Sequence, residues 1–460
     1  MAFSQQLELE SSSPSLVYSV RRKRPELVAP AKPTPRETKP LSDIDCQEGL
    51  RVQIPIIQFY PHQPSFTEKD PVQVIKHALA QALVFYYPLA GRLKEASDGK
   101  LLVDCNHQGL MFIEADADLT LHQFPHPLKP PFPCFQQLLF QPPASQGIID
   151  TPIFLIQVTR LKCGGFIFAL RFNHVMVDGV GLVQFLSAVA EIARGAEQPS
   201  VQPEWRRELL NARNPPRVTF NHREYEQQLP TDSNDDDDAV ATDFEQRSFF
   251  FGPTELAAIR SLLPSDLNQQ ATSFEVLTSY VWRCRTRALQ MDPKEDVRMM
   301  CLMDARGKFE KAEFPAGYYG SCFAFPAAVA SAGELCEKPL EYAVRLVRDA
   351  GGEVSEEYMH SVADLMVSEG RPLFTTVRSC LVLDTTEAGF RDLDFGWGKA
   401  LYGGMALAGA GVFPAVNFHV PSQNAVGEEG VLLLVSLPNQ LIKAFAKELD
   451  HNMHASPYFT

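Results

Sequence analysis

The sequence predicts an α/β protein with two domains of similar size, each a mixed β-sheet with helices packed on it. Its 460 residues allow two large or three small domains at about 150 residues each. β-like runs and helical periodicities occur in both halves, as in mixed α/β domains. Between them, prolines precede the acidic tract Asp235–Asp238, which predicts a crossover and flexible loop. We therefore expect domains at 1–195 and 246–460, joined by 196–245.

The first half carries the clearest local patterns. Asp70 and Pro71 are a typical N-cap and first helical residue, and the helix should stop before Pro88. Two β-like runs at 153–161 and 165–172 predict a hairpin. The second run is apolar on both faces, as in a buried central strand, and a loop and an amphipathic helix follow it.

The remaining elements are predicted from shorter patterns. The proline-rich stretches 25–40 and 125–133 predict an extended arm and a loop. We expect strands at 248–251, 297–304, 377–383, 415–420 and 431–437. We expect helices near 253–263, 272–290, 338–367 and 438–449.

Composition excludes several classes of protein. The formal net charge of -14 gives no reason to expect nucleic acid or an anionic membrane as a partner. The nine cysteines contain no CxxC pair, so neither a zinc site nor a disulfide framework is expected. The N-terminus lacks the apolar core of a signal peptide, and no apolar run is long enough to span a membrane. We therefore expect a cytoplasmic protein.

The first candidate for chemistry is an HxxxDG motif formed by His174, Asp178 and Gly179. It follows the predicted buried strand directly, and a rigid strand end suits a functional group. A neutral imidazole, with an ordinary pKa near 6.5, can take a proton from a hydroxyl or an amine. The alternative is a buried loop histidine beside an aspartate that caps the next helix.

The second candidate is the DFGWG motif, with Asp394, Gly396, Trp397 and Gly398. Glycines on both sides of the tryptophan allow a tight turn that presents an indole and main-chain amides. The alternative is a core tryptophan on a glycine turn.

The two motifs and their separation resemble the plant BAHD acyl-CoA-dependent acyltransferase family. Further blocks resemble its branch of benzyl alcohol O-benzoyltransferases and alcohol acyltransferases, and the resemblance extends from about Val28 to Asp450. Among these blocks are FYYPLAGRL at 85–93, QVTRLKCGGFIFALRFNH at 157–174, TSFEVLTSYVWRCRTRAL at 272–289 and DFGWGKALYGG at 394–404.

The resemblance implies a fold and a mechanism. Both domains are expected to be chloramphenicol-acetyltransferase-like, with a solvent channel between them and His174 in its middle. His174 would be the general base that deprotonates an alcohol for attack on the thioester of acyl-CoA, the co-substrate. Trp397 is the candidate donor to the oxyanion. No metal, bound cofactor or acyl-enzyme is implied, and a monomer is expected.

Other residues receive supporting roles from the resemblance. Asp178 is expected to be structural and paired with an arginine. Asp394 is also expected to be structural, with Arg306 as its ion-pair partner, and the glycines Gly179, Gly396 and Gly398 shape the turns. Candidates for binding CoA are Ser273, Thr385 and Lys399, and surface roles are their alternative.

Four positions depart from the branch pattern: Asp304, Ser321, Glu387 and Met405–Gly411. The last two remove cations expected near CoA, so they bear on CoA affinity and acceptor scope.

The expected reaction is transfer of benzoyl or another aromatic acyl group from CoA to benzyl alcohol or a similar small alcohol. The alternatives are acetyl or short-chain transfer, acylation of a natural-product hydroxyl or amine, and a non-catalytic relative that binds small molecules.

Overall fold

The computed structural model describes residues 3–5, 16–66, 68–141, 147–226, 244–310, 314–409 and 415–451. Asp235–Asp238 and residues 410–411 of the stretch Met405–Gly411 therefore lie outside the described residues.

The strands are β1 Val20–Arg22, β2 Glu26–Val28, β3 Thr38–Pro40, β4 Gln53–Tyr60, β5 Arg92–Glu95, β6 Leu101–Asp104, β7 Leu110–Ala117, β8 Phe154–Arg160, β9 Phe166–Asn173, β10 Phe244–Phe251, β11 Asp296–Cys301, β12 Met303–Asp304, β13 Phe323–Ala324, β14 Ala327–Ser331, β15 Ser379–Asp384, β16 Tyr402–Met405, β17 Val416–Gln423 and β18 Glu429–Pro438. The α-helices are α1 Pro71–Phe85, α2 Phe135–Leu138, α3 Gly179–Ala193, α4 Pro253–Arg260, α5 Ser265–Gln270, α6 Ser273–Leu289, α7 Ala332–Glu337, α8 Leu340–Gly352, α9 Glu356–Ser368 and α10 Asn439–His451.

The first large sheet has the order β1-β7-β8-β9-β4-β16, and β2 also pairs with β7. Strands β7 and β8 are parallel, and the other pairs are antiparallel. Strand β9 lies between β8 and β4 and is almost wholly buried. This explains why its sequence is apolar on both faces. The strand that leads to His174 is therefore central and rigid.

The second large sheet has the order β10-β18-β17-β15-β11-β14. Three of its four inner strands, β17, β15 and β11, run parallel to one another. Their carboxyl ends therefore lie on one edge of the sheet, which is a usual location for ligand sites in α/β proteins. Helix α6 packs on this sheet through a buried face that includes Trp282 and Tyr280.

Most local predictions are confirmed. Asp70 caps α1 by accepting a hydrogen bond from the Val72 amide at 3.2 Å. Strands β8 and β9 form the predicted antiparallel hairpin, and α3 follows them. The predicted arm at 25–40 is extended, with the short strands β2 and β3 within it.

Two element predictions are wrong in detail. The single helix expected near 338–367 is two helices, because α8 ends at Gly352 and Ser355 caps α9 by accepting from the Tyr358 amide. The strand expected at 297–304 is also divided, because β11 lies in the second sheet whereas β12 pairs with β13. Glycine at a helix end and a serine N-cap account for the first division.

One edge strand of the first sheet comes from the second half of the chain. Strand β16, from the second half of the chain, pairs antiparallel with β4 of the first sheet. One buried core cluster includes residues from both halves of the chain. The other is formed by residues of the second domain together with Phe3. The fold is therefore two mixed α/β domains with an extensive interface.

Candidate active site

A cavity of about 400 Å³ lies between the two domains and contains His174. The first domain lines it with Gly49, Leu50, Val52, Ile54, Ile56, Phe172, His174, Asp178, Gly179 and Val180. The second domain lines it with Leu302, Asp304, Arg306, Phe323, Phe325, Phe374, Leu381, Leu383, Asp384, Thr385, Glu387, Ala388, Phe390, Met405, Val416 and Phe418. Most of this surface is aliphatic or aromatic, and the charged residues are acidic except for Arg306.

A larger and more open cavity of about 510 Å³ lies away from His174, beside Glu224 and Tyr358. Near it, His222 bridges the Ser361 hydroxyl at 2.8 Å and the Glu224 carboxylate at 3.1 Å. These three side chains are hydrogen-bonded in the sequence serine, histidine, carboxylate, as in a hydrolytic triad. Ser361, however, is fully buried and accepts from the main-chain amides of residues 219 and 220. It anchors the crossover to α9, so the candidate site is the cavity with His174.

His174 begins the loop after β9, where its amide donates to the Val52 carbonyl at 3.0 Å. The residue is 9% exposed, and its ring lies 5.6 Å from those of both Phe172 and Phe323. Phe323 belongs to the second domain. The imidazole is thus held between aromatic rings of both domains while it faces the cavity.

The protonation of His174 follows from this burial. Desolvation lowers the pKa of the imidazole below its ordinary value, opposed by contact with its own main chain and by the carboxylates of Asp178 and Asp45. Its Nδ1 has no well-formed hydrogen bond among the described residues. The ring is therefore neutral near pH 7, which is the state of a proton acceptor.

Asp178 pairs with Arg306, and this corrects the expected pairing of Arg306 with Asp394. Arg306 Nη2 lies 2.8 Å from Asp178 Oδ2. Asp178 also caps α3 through the Gly181 amide at 2.8 Å and accepts from the Cys322 amide at 3.1 Å. Burial alone would lower the pKa of Arg306, but Asp178 and Asp304 raise it above its ordinary range.

A second buried ion pair contacts the same loop, and its residues belong to neither the HxxxDG nor the DFGWG motif. Arg207 Nη1 donates to Asp45 Oδ1 at 2.7 Å, and Nη2 donates to the Met176 carbonyl at 2.7 Å. Met176 lies between His174 and Asp178. The side chains of the pair are 2% and 0% exposed.

Trp397 lies too far from His174 to donate to an oxyanion there. Its indole packs on Phe66 at 5.2 Å and on Phe166 at 5.4 Å. Phe166 begins β9, whereas His174 follows its end, and seven residue steps of a strand span roughly 23 Å. The expectation that Trp397 is the oxyanion donor is therefore wrong.

The DFGWG turn is held by its own aspartate. Asp394 Oδ1 accepts from the amides of Gly396 at 2.7 Å and Gly398 at 2.8 Å, and both glycines have positive φ. Arg194, after the end of α3, donates to the Asp394 carbonyl oxygen. The turn thus attaches the second half of the chain to the first domain just before β16.

The three candidate CoA residues do not lie together. Thr385 lines the cavity and donates to the His419 carbonyl at 2.7 Å. Ser273 begins α6 next to Phe274, whose ring lies 5.7 Å from that of His419. Lys399 is exposed and pairs with Asp392 at 2.6 Å, outside the cavity lining.

The unusual positions within the described residues lie at or near the cavity, except Ser321, which contacts Asp45. Asp304 accepts from Arg306 Nη1 at 2.7 Å, and the Ser321 amide donates to Asp45 at 3.0 Å. Glu387 and Met405 line the cavity. Thus Glu387 adds a carboxylate to the substrate cavity itself.

Two features are absent from the described residues. In these ranges no α-helix is both long and apolar enough to cross a membrane. The same ranges contain no group of three His, Cys, Asp or Glu side chains placed to hold a metal ion.

Comparison with known proteins identifies the family. The profile of the Transferase family matches residues 18–452. The chain is 56% identical to a benzyl alcohol O-benzoyltransferase of Petunia hybrida, over 95% of this chain and 94% of that protein. It is 52% identical to a 13-hydroxylupanine O-tigloyltransferase of Lupinus albus, over 95% of each.

Among solved structures, vinorine synthase has the same fold. It superposes with a TM-score of 0.68 at 21% identity, over 93% of this chain and 96% of that one. The predicted two-domain fold is confirmed by this likeness. From the profile match and the identity to its relatives, we conclude that the chain belongs to the BAHD acyltransferases of the Transferase family.

Proposed function

We propose that the protein transfers an aromatic acyl group, benzoyl above all, from CoA to benzyl alcohol or a similar small alcohol. The observation that carries this proposal is a buried, neutral His174 facing an apolar cavity between the two domains. Identity to a benzyl alcohol O-benzoyltransferase supports the choice of substrates. The aromatic lining also suits phenyl rings, which pack edge-to-face or offset on other rings.

In the proposed mechanism, His174 takes the proton of the acceptor hydroxyl as its oxygen attacks the thioester carbonyl. The tetrahedral intermediate collapses with cleavage of the carbon–sulfur bond, and the thiolate takes the proton from the imidazolium to leave as CoA-SH. No acyl-enzyme is required, because a thioester is already activated and general base catalysis with positioning suffices. The ester and free CoA are the products.

The oxyanion requires donors other than Trp397. We propose the main-chain amides of Gly179 and Val180, because both residues line the cavity in the first turn of α3. The first amides of a helix lack partners within the helix, and they lie at the positive end of its dipole. Such groups stabilise negative charge without reorganisation.

We propose that Thr385 and Ser273 line the path along which CoA extends out of the cavity. Ser273 accepts from Arg260 Nη2 at 3.2 Å, so a cation lies near the outer end of this path. Arg306 is the single cation in the described cavity lining, and carboxylates already occupy it. The phosphates of CoA should therefore bind outside the cavity, toward Arg260.

A second candidate acceptor is an alcohol that carries a protonated amine. Asp384 and Glu387 line the cavity, and neither forms an ion pair among the described residues. The relative named 13-hydroxylupanine O-tigloyltransferase supports this alternative. Acetyl or short-chain transfer remains the alternative on the donor side. Retention of both His174 and Asp178 argues against a non-catalytic binding protein.

The test is release of free thiol, followed colorimetrically, with benzoyl-CoA and benzyl alcohol and then with acetyl-CoA and amino alcohols. His174→Ala should lower the rate by about 100- to 10,000-fold, the range of general base catalysis. The matched control is His222→Gln, which changes a buried histidine outside the cavity. Undiminished turnover by His174→Ala would refute the mechanism, and no thiol release with any pair would refute the function.

We also propose a cytoplasmic monomer with domains at 1–195 and 246–460 and the crossover at 196–245. The central sheets support this division, although Tyr402–Met405 pairs with the first sheet. Light scattering on the eluting protein tests the monomer, and limited proteolysis within the proposed crossover 196–245 tests the boundary. A dimer, or first cleavage elsewhere, would contradict the respective proposal.

A further inference from the structure

We propose that Asp45 and Arg207 form a positioning pair that fixes the loop carrying His174 against the second domain. This inference rests on the proposed function, in which His174 is the general base. Neither residue lines the cavity, so the pair would act through the main chain that it holds.

Asp45 contacts three separate parts of the chain through one fully buried carboxylate. Oδ1 accepts from Arg207 at 2.7 Å and from the Ser321 amide of the second domain at 3.0 Å. Oδ2 accepts from the Ser42 amide at 3.0 Å and from the Ser42 hydroxyl at 2.6 Å. The carboxylate is therefore fully satisfied, and its location depends on both domains.

Arg207 makes the second half of the connection. One nitrogen of its guanidinium pairs with Asp45, and another donates to the Met176 carbonyl, two residues after His174. The guanidinium also lies over the rings of Trp205 at 4.6 Å and Tyr319 at 5.3 Å. A planar fork with several donors makes these contacts at once, which the single ammonium of a lysine does not.

The contacted segments form one layered unit. Asp45 holds the Ser321 amide, and Asp178 holds the next amide, that of Cys322. At Gly320 a Cβ atom would lie 2.0 Å from Arg207 Nη1, so the absence of a side chain there lets the guanidinium approach. Two carboxylates of the first domain thus hold consecutive amides of the second, with the His174 loop between them.

The pair also acts on His174 through charge. Asp45 is one of the carboxylates that oppose the effect of burial on the imidazole and raise its pKa. Removing that carboxylate should therefore make His174 harder to protonate. A loss of stability alone would not move this property, so it shows whether the Asp45 charge acts on His174.

The experiment compares Asp45→Asn, Arg207→Lys and the double variant Asp45→Asn/Arg207→Met, with Asp43→Asn as the matched control. Asp43 is also buried, pairs with Lys100 at 2.9 Å and lies two residues away, but it contacts neither the His174 loop nor Ser321. The double variant leaves no uncompensated buried charge, so it keeps the test valid if Asp45→Asn unfolds.

Two measurements are made on each folded variant. Arg207→Lys and the double variant should lower kcat by about 100-fold with KM for benzoyl-CoA within about twofold, because small misplacements are costly. The pH midpoint for modification of His174 by diethylpyrocarbonate, read by peptide mass spectrometry, should fall in Asp45→Asn. It should stay unchanged in Arg207→Lys and Asp43→Asn.

The outcomes separate this inference from the proposed function. Wild-type kcat in folded Arg207→Lys and double variants, or an equal fall in Asp43→Asn, would overturn the positioning role while the proposed function stands. If the wild type released no thiol with any substrate pair, the proposed function would fail. The shift of the His174 midpoint would then decide the inference, since its presence supports the link and its absence overturns it.

Discussion

Arg306 of the second domain donates to both carboxylate oxygens of Asp178, at 2.9 Å and 2.8 Å from Nη2. Asp178 is the residue that caps α3 and ends the loop that begins at His174. The same side chain therefore ends the loop that carries the candidate base and joins the two domains. Loss of the Arg306–Asp178 contact should therefore change both the shape of the cavity and the packing of the two domains.

Asp178→Asn should destabilise the protein by about 2 kcal/mol, because it removes the buried carboxylate from this ion pair and leaves Arg306 paired with the more exposed Asp304. The amide oxygen of asparagine can still cap α3, but the asparagine nitrogen replaces the oxygen that accepts from the Cys322 amide, so the loss reports on both Arg306 and that amide. In a double-mutant cycle with Arg306→Met, we expect a coupling of about 1–3 kcal/mol, measured by urea unfolding.

The control cycle combines Arg306→Met with Asp394→Asn. Asp394 accepts from two amides of its own turn, so these two changes should be additive within about 0.5 kcal/mol. Additivity for Asp178, or coupling for Asp394, would contradict the observed pairing.

The pH dependence of kcat/KM should report the burial of His174. Desolvation lowers the pKa of His174 from its ordinary value of 6.5, so the base stays neutral as the pH falls through 6.5. The rate should therefore be constant at neutral pH and fall with a slope of one proton only below 6.5.

The same shift affects stability with a definite sign. Below pH 6.5 the unfolded chain binds the proton before the folded protein does, so His174 lowers stability until its folded pKa is reached. His174→Gln should flatten this part of the curve of unfolding free energy against pH. An acid limb of kcat/KM centred above pH 7 would contradict both expectations.

Local sequence patterns correctly predicted the elements that carry the site. The buried strand β9, the N-cap at Asp178 and helix α3 follow from short-range periodicity and capping. These elements determine the position of His174. By contrast, the pairing of β16 with β4 joins residues about 350 positions apart. No local pattern encodes such a pairing, because it depends on packing of the whole domain.

The same limit explains the errors at the site. A DFGWG sequence predicts a turn, but not the side of the sheet on which Trp397 packs. Arg306 could be assigned to either aspartate from sequence, because charge alone does not select a partner. Asp45 and Arg207 belong to neither of the two motifs, and only the fold brings them to the His174 loop.

Trp397→Phe should leave catalysis nearly intact. The indole contacts Phe66 and Phe166 at the opposite end of β9 from His174, and phenylalanine keeps most of that aromatic contact. We expect kcat within about twofold of wild type, whereas loss of an oxyanion donor costs about 100- to 1,000-fold. Thiol release with benzoyl-CoA measures the difference, and a loss of the larger size would restore Trp397 as a donor.

Gly49→Ala should narrow the cavity and shift the enzyme toward smaller substrates. A Cβ atom at residue 49 would lie 2.3 Å from Cε2 of Phe374. The Phe374 ring is stacked on Tyr225 at 5.2 Å and packs against Phe325 at 4.7 Å, so protein lies on these two sides and the open direction is into the cavity. Overpacking of this kind costs about 1–3 kcal/mol.

The measurement is kcat/KM for benzoyl-CoA relative to acetyl-CoA, which we expect to fall by about tenfold, since a methylene in an apolar pocket changes preference by about 1–3 kcal/mol. The double variant Gly49→Ala/Phe374→Leu should recover part of the ratio, because leucine is smaller than the phenyl ring and leaves more of the cavity open. The matched control is Gly307→Ala, where a Cβ atom meets nothing within 4 Å. An unchanged ratio in Gly49→Ala, or an equal fall in the control, would show that Phe374 does not limit substrate size.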